Sequence, residues 1–202
     1  MQRRDMLVTT ATLLGSAAVA GCASLGGDGW ATLVDGSKVP GAAEGWTAQG
    51  EGNWSVVDGT LQGKGGKGGY LVAPGTHANF EIEAEFWADA DCNSGIFIRC
   101  QDRNKIAAAS AYEVNIFDKR PDPLYGTGAI VEFAKVRQPM PKAADRWNTF
   151  RITAQGERLV VVFNGETTVD IRNGQWKSGA IALQSAGGTV RWRKVRLRTL
   201  PA

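Results

Sequence analysis

The sequence predicts an all-β fold, a two-sheet antiparallel sandwich of jelly-roll type. Three observations carry that expectation. Short runs rich in Val, Ile, Thr and aromatic residues recur along the chain, separated by Gly-containing turns. Several of these runs alternate apolar and polar residues with the period of two that a half-buried strand requires. No convincing long amphipathic-helix pattern interrupts them. At 202 residues, with seven Trp and 26 Gly, the chain is long enough for a substantial core and suits a β domain better than a helical one.

The N-terminal residues do not belong to that pattern. Gln2-Arg3-Arg4-Asp5-Met6-Leu7 is a twin-arginine pair, and the apolar, small-residue segment 7–20 that follows is too short for a stable membrane span. It ends in Val19-Ala20-Gly21-Cys22, which resembles the lipobox of bacterial lipoproteins. The organisation expected is therefore a signal peptide over 1–21, a Gly/Ser-rich tether over 22–29 and a β domain over 30–202. The lipobox resemblance implies acylation of Cys22 and a protein exported and lipid-anchored to a bacterial membrane, on its periplasmic side or at the cell surface. The alternative is an ordinary secretory leader with a chance cysteine. The formal net charge is +3, and loss of the leader removes one unit of it. Such a weak balance argues against a nucleic-acid partner.

Residues 30–36 read as a strand ending in the Asp35-Gly36 turn, and 53–61 as a hairpin tipped by Asp58-Gly59. The Gly-rich run 63–69 lacks the Gly-Lys-Ser/Thr ending of a phosphate loop and has no helix after it, so it reads as a hairpin or site-edge loop. In 80–87, Phe80, Ile82, Ala84 and Phe86 alternate with Glu81, Glu83 and Glu85. Three carboxylates on one side of a strand favour a solvated sheet face over a catalytic set. Residues 105–111 are a helical turn or loop, 119–125 a Pro-containing loop, and 128–133 a strand. Residues 147–154 and 158–163 follow as strands, and Asn164-Gly165 signals a tight hairpin into 167–170. Strands over 180–184 and 190–197 close the chain. The last is very basic and reads as an exposed strand whose charges discourage edge pairing.

Cys92 and Cys100 remain after Cys22. Eight residues of extended strand hold them roughly 26 Å apart, beyond the reach of a disulfide. His77 is the single histidine, so no zinc-type Cys/His cluster exists.

Residues 93–118 carry the richest chemistry. In the first strand there, Ile96, Ile98 and Cys100 share one face, with Phe97 and Arg99 on the other. In the second, Tyr112, Val114 and Ile116 oppose Glu113, Asn115 and Phe117. If the aliphatic faces form the core, Arg99, Glu113 and Asn115 gather on an aromatic wall, as in a small-molecule site. A cross-strand ion pair between Arg99 and Glu113 is the plainer alternative.

Taken in order, the chain resembles the 3-keto-disaccharide hydrolase domain family. The resemblance rests on Leu33-Val34-Asp35-Gly36 with Gly45-Trp46, on residues 54–61, and on Asn79-Phe80-Glu81-Ile82. It continues through Asn93-Ser94-Gly95-Ile96-Phe97-Ile98-Arg99, Tyr112-Glu113-Val114-Asn115-Ile116-Phe117-Asp118 and Gly128-Ala129-Ile130. Trp147-Asn148-Thr149-Phe150-Arg151-Ile152, Asn164-Gly165 and residues 179–184 complete the set. It implies a concanavalin A-like jelly roll and cleavage of glycosides whose sugar carries a ketone at C3. Two positions depart from the family pattern: Asn115 stands where Gln is usual, and Val131 where Tyr is usual.

A C3 ketone acidifies the C2 hydrogen, so the aglycone can leave by elimination before water adds. That route needs a base and a group polarising the ketone, rather than the two opposed carboxylates of ordinary glycosidases. The expected catalytic set is Glu113 as base or acid, Arg99 orienting or polarising the substrate, and His77 as a second candidate base. Asn115 and Gln184 would bind sugar hydroxyls, and Phe97, Phe117 or a loop Trp would stack on the ring. No cofactor or metal is assigned, although Asp118 with loop groups leaves a divalent cation open. The expected partners are an oxidised 3-keto disaccharide or glycoside and, through Cys22, a lipid bilayer. The alternative function is a non-catalytic carbohydrate-binding module on the same fold.

Overall fold

The computed structural model describes residues 29–202. The expected signal peptide, Cys22 and the expected tether up to residue 28 lie outside the described residues. The described chain is built from thirteen strands. They are β1 (Ala31–Val34), β2 (Thr47–Gly50), β3 (Trp54–Val57), β4 (Thr60–Lys64), β5 (Gly69–Val72), β6 (Phe80–Ala88) and β7 (Ser94–Cys100). Then follow β8 (Tyr112–Ile116), β9 (Arg146–Gln155), β10 (Arg158–Phe163), β11 (Glu166–Arg172), β12 (Ala180–Ser185) and β13 (Thr189–Thr199).

The strands form two antiparallel sheets. The larger runs β11-β10-β9-β6-β13-β4-β3, with β1 pairing β13 beyond β4, and the smaller runs β2-β5-β12-β7-β8. Both two-residue hairpin tips anticipated in the sequence form, with left-handed φ at Asp58 (50°) and Gly59 (66°) and at Asn164 (48°) and Gly165 (85°). Between the sheets lies one core. Leu61, Phe80, Ile82, Phe86, Phe150 and Trp192 of the larger sheet meet Leu71, Ile96, Tyr112, Val114, Ile181 and Leu183 of the smaller. Phe86 sits at its centre, 5.0 Å from the Phe150 ring and 5.6 Å from Trp192.

Four sequence expectations are corrected. The basic strand β13 lies inside the larger sheet, between β6 on one side and β4 and β1 on the other. Its charges belong to the solvent face of a central strand. Residues 128–133 are not a strand: Ile130 makes single bridges to Val114 and Ala134, and the chain turns between them. Strands β2 and β5 form where only turns and a Gly-rich run were read. Finally, β7 carries a bulge, described below with Arg99.

A second, smaller apolar cluster lies on the outer face of the five-stranded sheet. Val72, Phe97, Cys100, Ala180 and Ala182 are roofed there by Ile106 and Ala111. The roof is residues 101–111, tied down through side-chain amides and a guanidinium. Gln49 donates to the Arg103 carbonyl and accepts from the Ile106 amide. Arg103 donates to the Ala73 carbonyl, and Gln101 to the carbonyls of Arg99 and Ser178. The other end of the outer face carries Gln184, Glu113 and Asn115, each less than a tenth exposed. Cys92 and Cys100 are both free and buried. Burial pushes the Cys100 thiol up to about 12 and raises Cys92 as well, so both stay protonated.

Candidate functional site

That end of the small sheet is organised by its register. Tyr70 on β5 pairs with Gln184 on β12, and Gln184 falls beside Gly95 on β7 because Leu183 pairs with Ile96. Gly95 pairs with Asn115 on β8, and Phe97 with Glu113. Alternation therefore brings Tyr70, Gln184, Asn115 and Glu113 to one face, converging on a position without a side chain. A Cβ at Gly95 would lie 3.5 Å from Glu113 Cγ and 3.7 Å from Gln184 Oε1, and 2.9 Å from the Val114 carbonyl oxygen. Glycine at 95 thus leaves a notch floored by backbone and walled by polar side chains.

Glu113 is 7% exposed. Among the described residues no hydrogen bond or ion pair reaches its carboxylate. Burial raises its pKa to about 7; the nearby Arg120 lowers it and Glu132 raises it, neither strongly enough to reverse burial. A carboxyl group titrating near neutrality in a polar notch is a candidate general base or acid. The two amides beside it are half-used. Asn115 Nδ2 donates to the Tyr125 carbonyl at 2.7 Å, and Gln184 Nε2 donates to the Tyr70 hydroxyl at 3.4 Å. Asn115 Oδ1 and Gln184 Oε1 are buried with no partner. Leaving such an oxygen unpaired costs about 1–3 kcal/mol, so this end of the sheet is built to receive hydrogen-bond donors.

The structure brings Glu113, Asn115 and Gln184 together, as the alternation implied, and separates the rest. Arg99 is a correction. The register between β7 and β12 shifts between Ala180 and Ala182, and Arg99 takes the left-handed conformation with φ 52°. This bulge flips the alternation, sending Cys100 to the outer cluster with Phe97 and turning Arg99 away from Glu113. Its guanidinium is fully buried and donates to the Ala78 carbonyl at 3.1 and 2.6 Å and to the Trp176 carbonyl at 3.0 Å. Arg99 is a structural clamp, and the anticipated Arg99–Glu113 pair does not form.

His77 is also displaced. Its backbone pairs with Gly179, at the far end of β12 from Gln184, roughly 17 Å along the strand. Its ring packs edge-on to Phe80, with Nε2 3.1 Å from the Pro74 carbonyl oxygen. Phe97 is 1% exposed beneath the roof and cannot stack on a sugar; it instead braces Tyr70, ring to ring at 5.2 Å. Phe117 follows the end of β8, its amide donating to Thr127 Oγ1. Asp118 accepts from Thr127 Oγ1 and from the backbone amides of Ala143 and Ala144, so its carboxylate is occupied as a loop anchor.

Sequence reasoning missed Tyr70 and Arg120. Tyr70-Leu71-Val72 is an apolar run of three without alternation, and the glycines before it hid a short strand. Arg120 belongs to the loop after β8, whose placement no local pattern encodes. A hollow of about 420 Å³ lies elsewhere, on the outer face of the larger sheet, lined by Glu83, Glu85, Thr149, Arg151 and Lys194 among others. Its two carboxylates are each held by arginines, in contrast to Glu113.

The fold and this notch define the chain's class: a two-sheet jelly-roll sandwich with a polar site on the outer face of its smaller sheet. Residues 29–198 match the family described as 3-keto-alpha-glucoside-1,2-lyase-like domains. The chain belongs to that carbohydrate-related family. No curated protein matches it. Among solved structures, it is similar to a candidate glycosyl hydrolase from Parabacteroides distasonis ATCC 8503, with TM-score 0.72 and 17% identity, covering 86% of this chain and 95% of that one. It is also similar to the carbohydrate-binding module CBM66 from Bacillus subtilis, with TM-score 0.59 and 15% identity over 77% of this chain and 96% of the module. A third is the exoplasmic/lumenal domain of VIP36 in its Ca2+/Man3GlcNAc-bound form, with TM-score 0.56 and 11% identity over 78% and 84%. At these identities the likenesses speak for the fold.

Proposed function

We propose that this chain cleaves glycosides whose sugar carries a ketone at C3, with Glu113 as the base that removes the C2 proton. The observation that carries the proposal is the state of Glu113: buried, bonded to no cation and titrating near neutrality, beside two amide oxygens that lack donors. An ionised Glu113 in that setting is a stronger base than an exposed carboxylate. Gln184 Oε1 and Asn115 Oδ1 would accept from the sugar hydroxyls, holding the ring over Gly95. Arg120, the cation nearest to Glu113 in effect, takes the polarising role that the sequence had suggested for Arg99. Family membership supports the substrate class.

The test is release of a chromogenic leaving group from a 3-keto-glucoside, run beside the unoxidised glucoside and with chelator added. Turnover of the keto sugar alone supports the proposal, and loss of turnover with chelator would add a metal requirement. No turnover of either would overturn it. The second reading is a non-catalytic carbohydrate-binding module. It is favoured by the unpaired amide oxygens of Asn115 and Gln184, which suit sugar hydroxyls without any chemical step, and by the fold shared with CBM66. Saturable glycan binding by calorimetry without turnover would establish it. The leader adds a further proposal, attachment of the mature chain to a membrane through acylated Cys22. Partition of the native protein into the detergent phase, lost in Cys22→Ser, tests that.

A further inference from the structure

Resting on the lyase reading above, we propose that Tyr70 is a second catalytic residue, the general acid that protonates the departing glycosidic oxygen. Its hydroxyl is half-used. Gln184 Nε2 donates to the Tyr70 oxygen, and among the described residues the phenol's own hydrogen has no acceptor. The ring cannot swing away, because it is braced edge-on against Phe97, itself locked under the roof. Among the described residues one O–H donor is therefore held at the rim of the notch without an acceptor.

Its placement relative to Glu113 suits an elimination. Tyr70 stands on β5 and Glu113 on β8, three strand spacings apart, with β12 and β7 between them. With Tyr70 two residues along the strand from the level of Glu113, that is roughly 16 Å between backbones, and the two side chains reach in from opposite sides over Gly95. A sugar ring resting on this floor meets a base on one side and a proton donor on the other. Burial raises the Tyr70 pKa, outweighing the hydrogen bond from Gln184, with the Glu113 charge adding to the rise. The phenol thus stays protonated at the pH where Glu113 ionises.

The step balances on these two groups. The Glu113 carboxylate takes the C2 proton, the C2–H electron pair becomes the C1–C2 double bond, and the C1–O bond breaks. The leaving oxygen takes the Tyr70 proton, giving the free aglycone and a phenolate. Water then adds at C1, giving one proton to the Tyr70 phenolate, while C2 regains its proton from Glu113. The net change is hydrolysis, with both residues restored.

A leaving-group series tests this. General acid assistance matters for a poor leaving group and little for a good one, and such groups contribute typically 10²–10⁴-fold. For Tyr70→Phe, which keeps the ring against Phe97, we expect a loss of about 10²-fold or more on a 3-keto-disaccharide. On the 4-nitrophenyl 3-keto-glucoside the loss should be less than about 5-fold. Turnover by the native enzyme with an equal loss across the series in Tyr70→Phe overturns the role of Tyr70 alone. No turnover by the native enzyme on any keto substrate overturns the lyase reading and Tyr70 with it. Should Tyr70→Phe misfold, the native enzyme decides: an alkaline limb in kcat for the disaccharide but not for the 4-nitrophenyl substrate supports the acid, and its absence from both overturns it.

Discussion

The two outer faces of the sandwich treat glutamate in opposite ways. On the larger sheet Glu81, Glu83 and Glu85 project from β6 against Arg198, Arg196 and Arg193 of β13, with Arg151 of β9 reaching Glu81 and Glu83 from the other side. Trp30 lies under the guanidinium groups of Arg196 and Arg198, and Trp147 under that of Arg193. Partial burial works against ionisation of Glu83, but hydrogen bonds from Arg196 and Arg151 outweigh it and hold its pKa below the usual carboxylate range. On the smaller sheet Glu113 has burial and no bonded cation, and its pKa moves the other way. A carboxylate neutralised by arginine is a poor base. One kept dry and unpaired stores the free energy that a base can use. The comparison teaches that neighbours, rather than residue type or strand position, separate a structural glutamate from a candidate catalytic one.

The largest effect expected from breaking this contrast is on turnover. Glu113→Gln should lower kcat/KM on a 3-keto-glucoside by about 10³-fold, within the range for loss of a positioned acid or base. The native profile of kcat/KM should rise with pH through about 7, since only the ionised carboxylate takes a proton. Kinetics from pH 5 to 9 check both. Full activity in the variant would remove Glu113 from the mechanism.

Next in size is Arg99, where the structure replaces a substrate contact with a clamp. Arg99→Met leaves the Ala78 and Trp176 carbonyls without their donors and should cost about 2–4 kcal/mol of stability. Denaturant unfolding measures this, and the KM of the folded fraction should hold. A raised KM at unchanged stability would return Arg99 to the site.

Arg99 also marks where sequence reading fails on this molecule. Strict alternation places Glu113, Asn115 and Gln184 on one face, and the structure agrees, because β8 and β12 carry these residues in regular pairing. The same rule fails two residues after Phe97, since the bulge arises from pairing with β12. Gly179 is packed so tightly there that a Cβ would fall 2.4 Å from the Arg99 backbone. That crowding is non-local and leaves no mark in the β7 sequence. The charge of β13 misled in another way: Arg191, Arg193 and Lys194 read as edge protection, whereas Arg193, Arg196 and Arg198 pair with the glutamates of the neighbouring β6. Tyr70 lay on a strand of four residues entered directly from a Gly-rich turn, too short for periodicity to declare.

The third effect concerns Glu113 again, now on stability. Its folded pKa lies above the ordinary carboxylate value, so its contribution to stability is fully present below that ordinary value and is lost as pH rises through about 7. At pH 8 the native protein therefore carries a dry, uncompensated charge. Glu113→Gln should then stabilise the fold at pH 8, by on the order of 2 kcal/mol, and make little difference at pH 4. Thermal or denaturant melts at the two pH values measure it. An inactive variant that is more stable than its parent would mark Glu113 as functional rather than structural.

The smallest effect sharpens the contrast by its sign. Glu83 has a lowered pKa, so its contribution is present above the ordinary carboxylate value and is lost as pH falls through the lowered one. Glu83→Gln should accordingly destabilise at pH 8, with the difference fading in acid. Arg151 is largely exposed and Arg196 keeps the Trp30 ring, so the loss should stay below about 1 kcal/mol and shrink further in high salt. Turnover should not change, because this face lies across the core from Gly95. Parallel melts of the two glutamine variants at pH 8 put the whole comparison at risk. Shifts in opposite directions uphold it, whereas shifts in the same direction would mean that Glu113 is paired in solution and is no base.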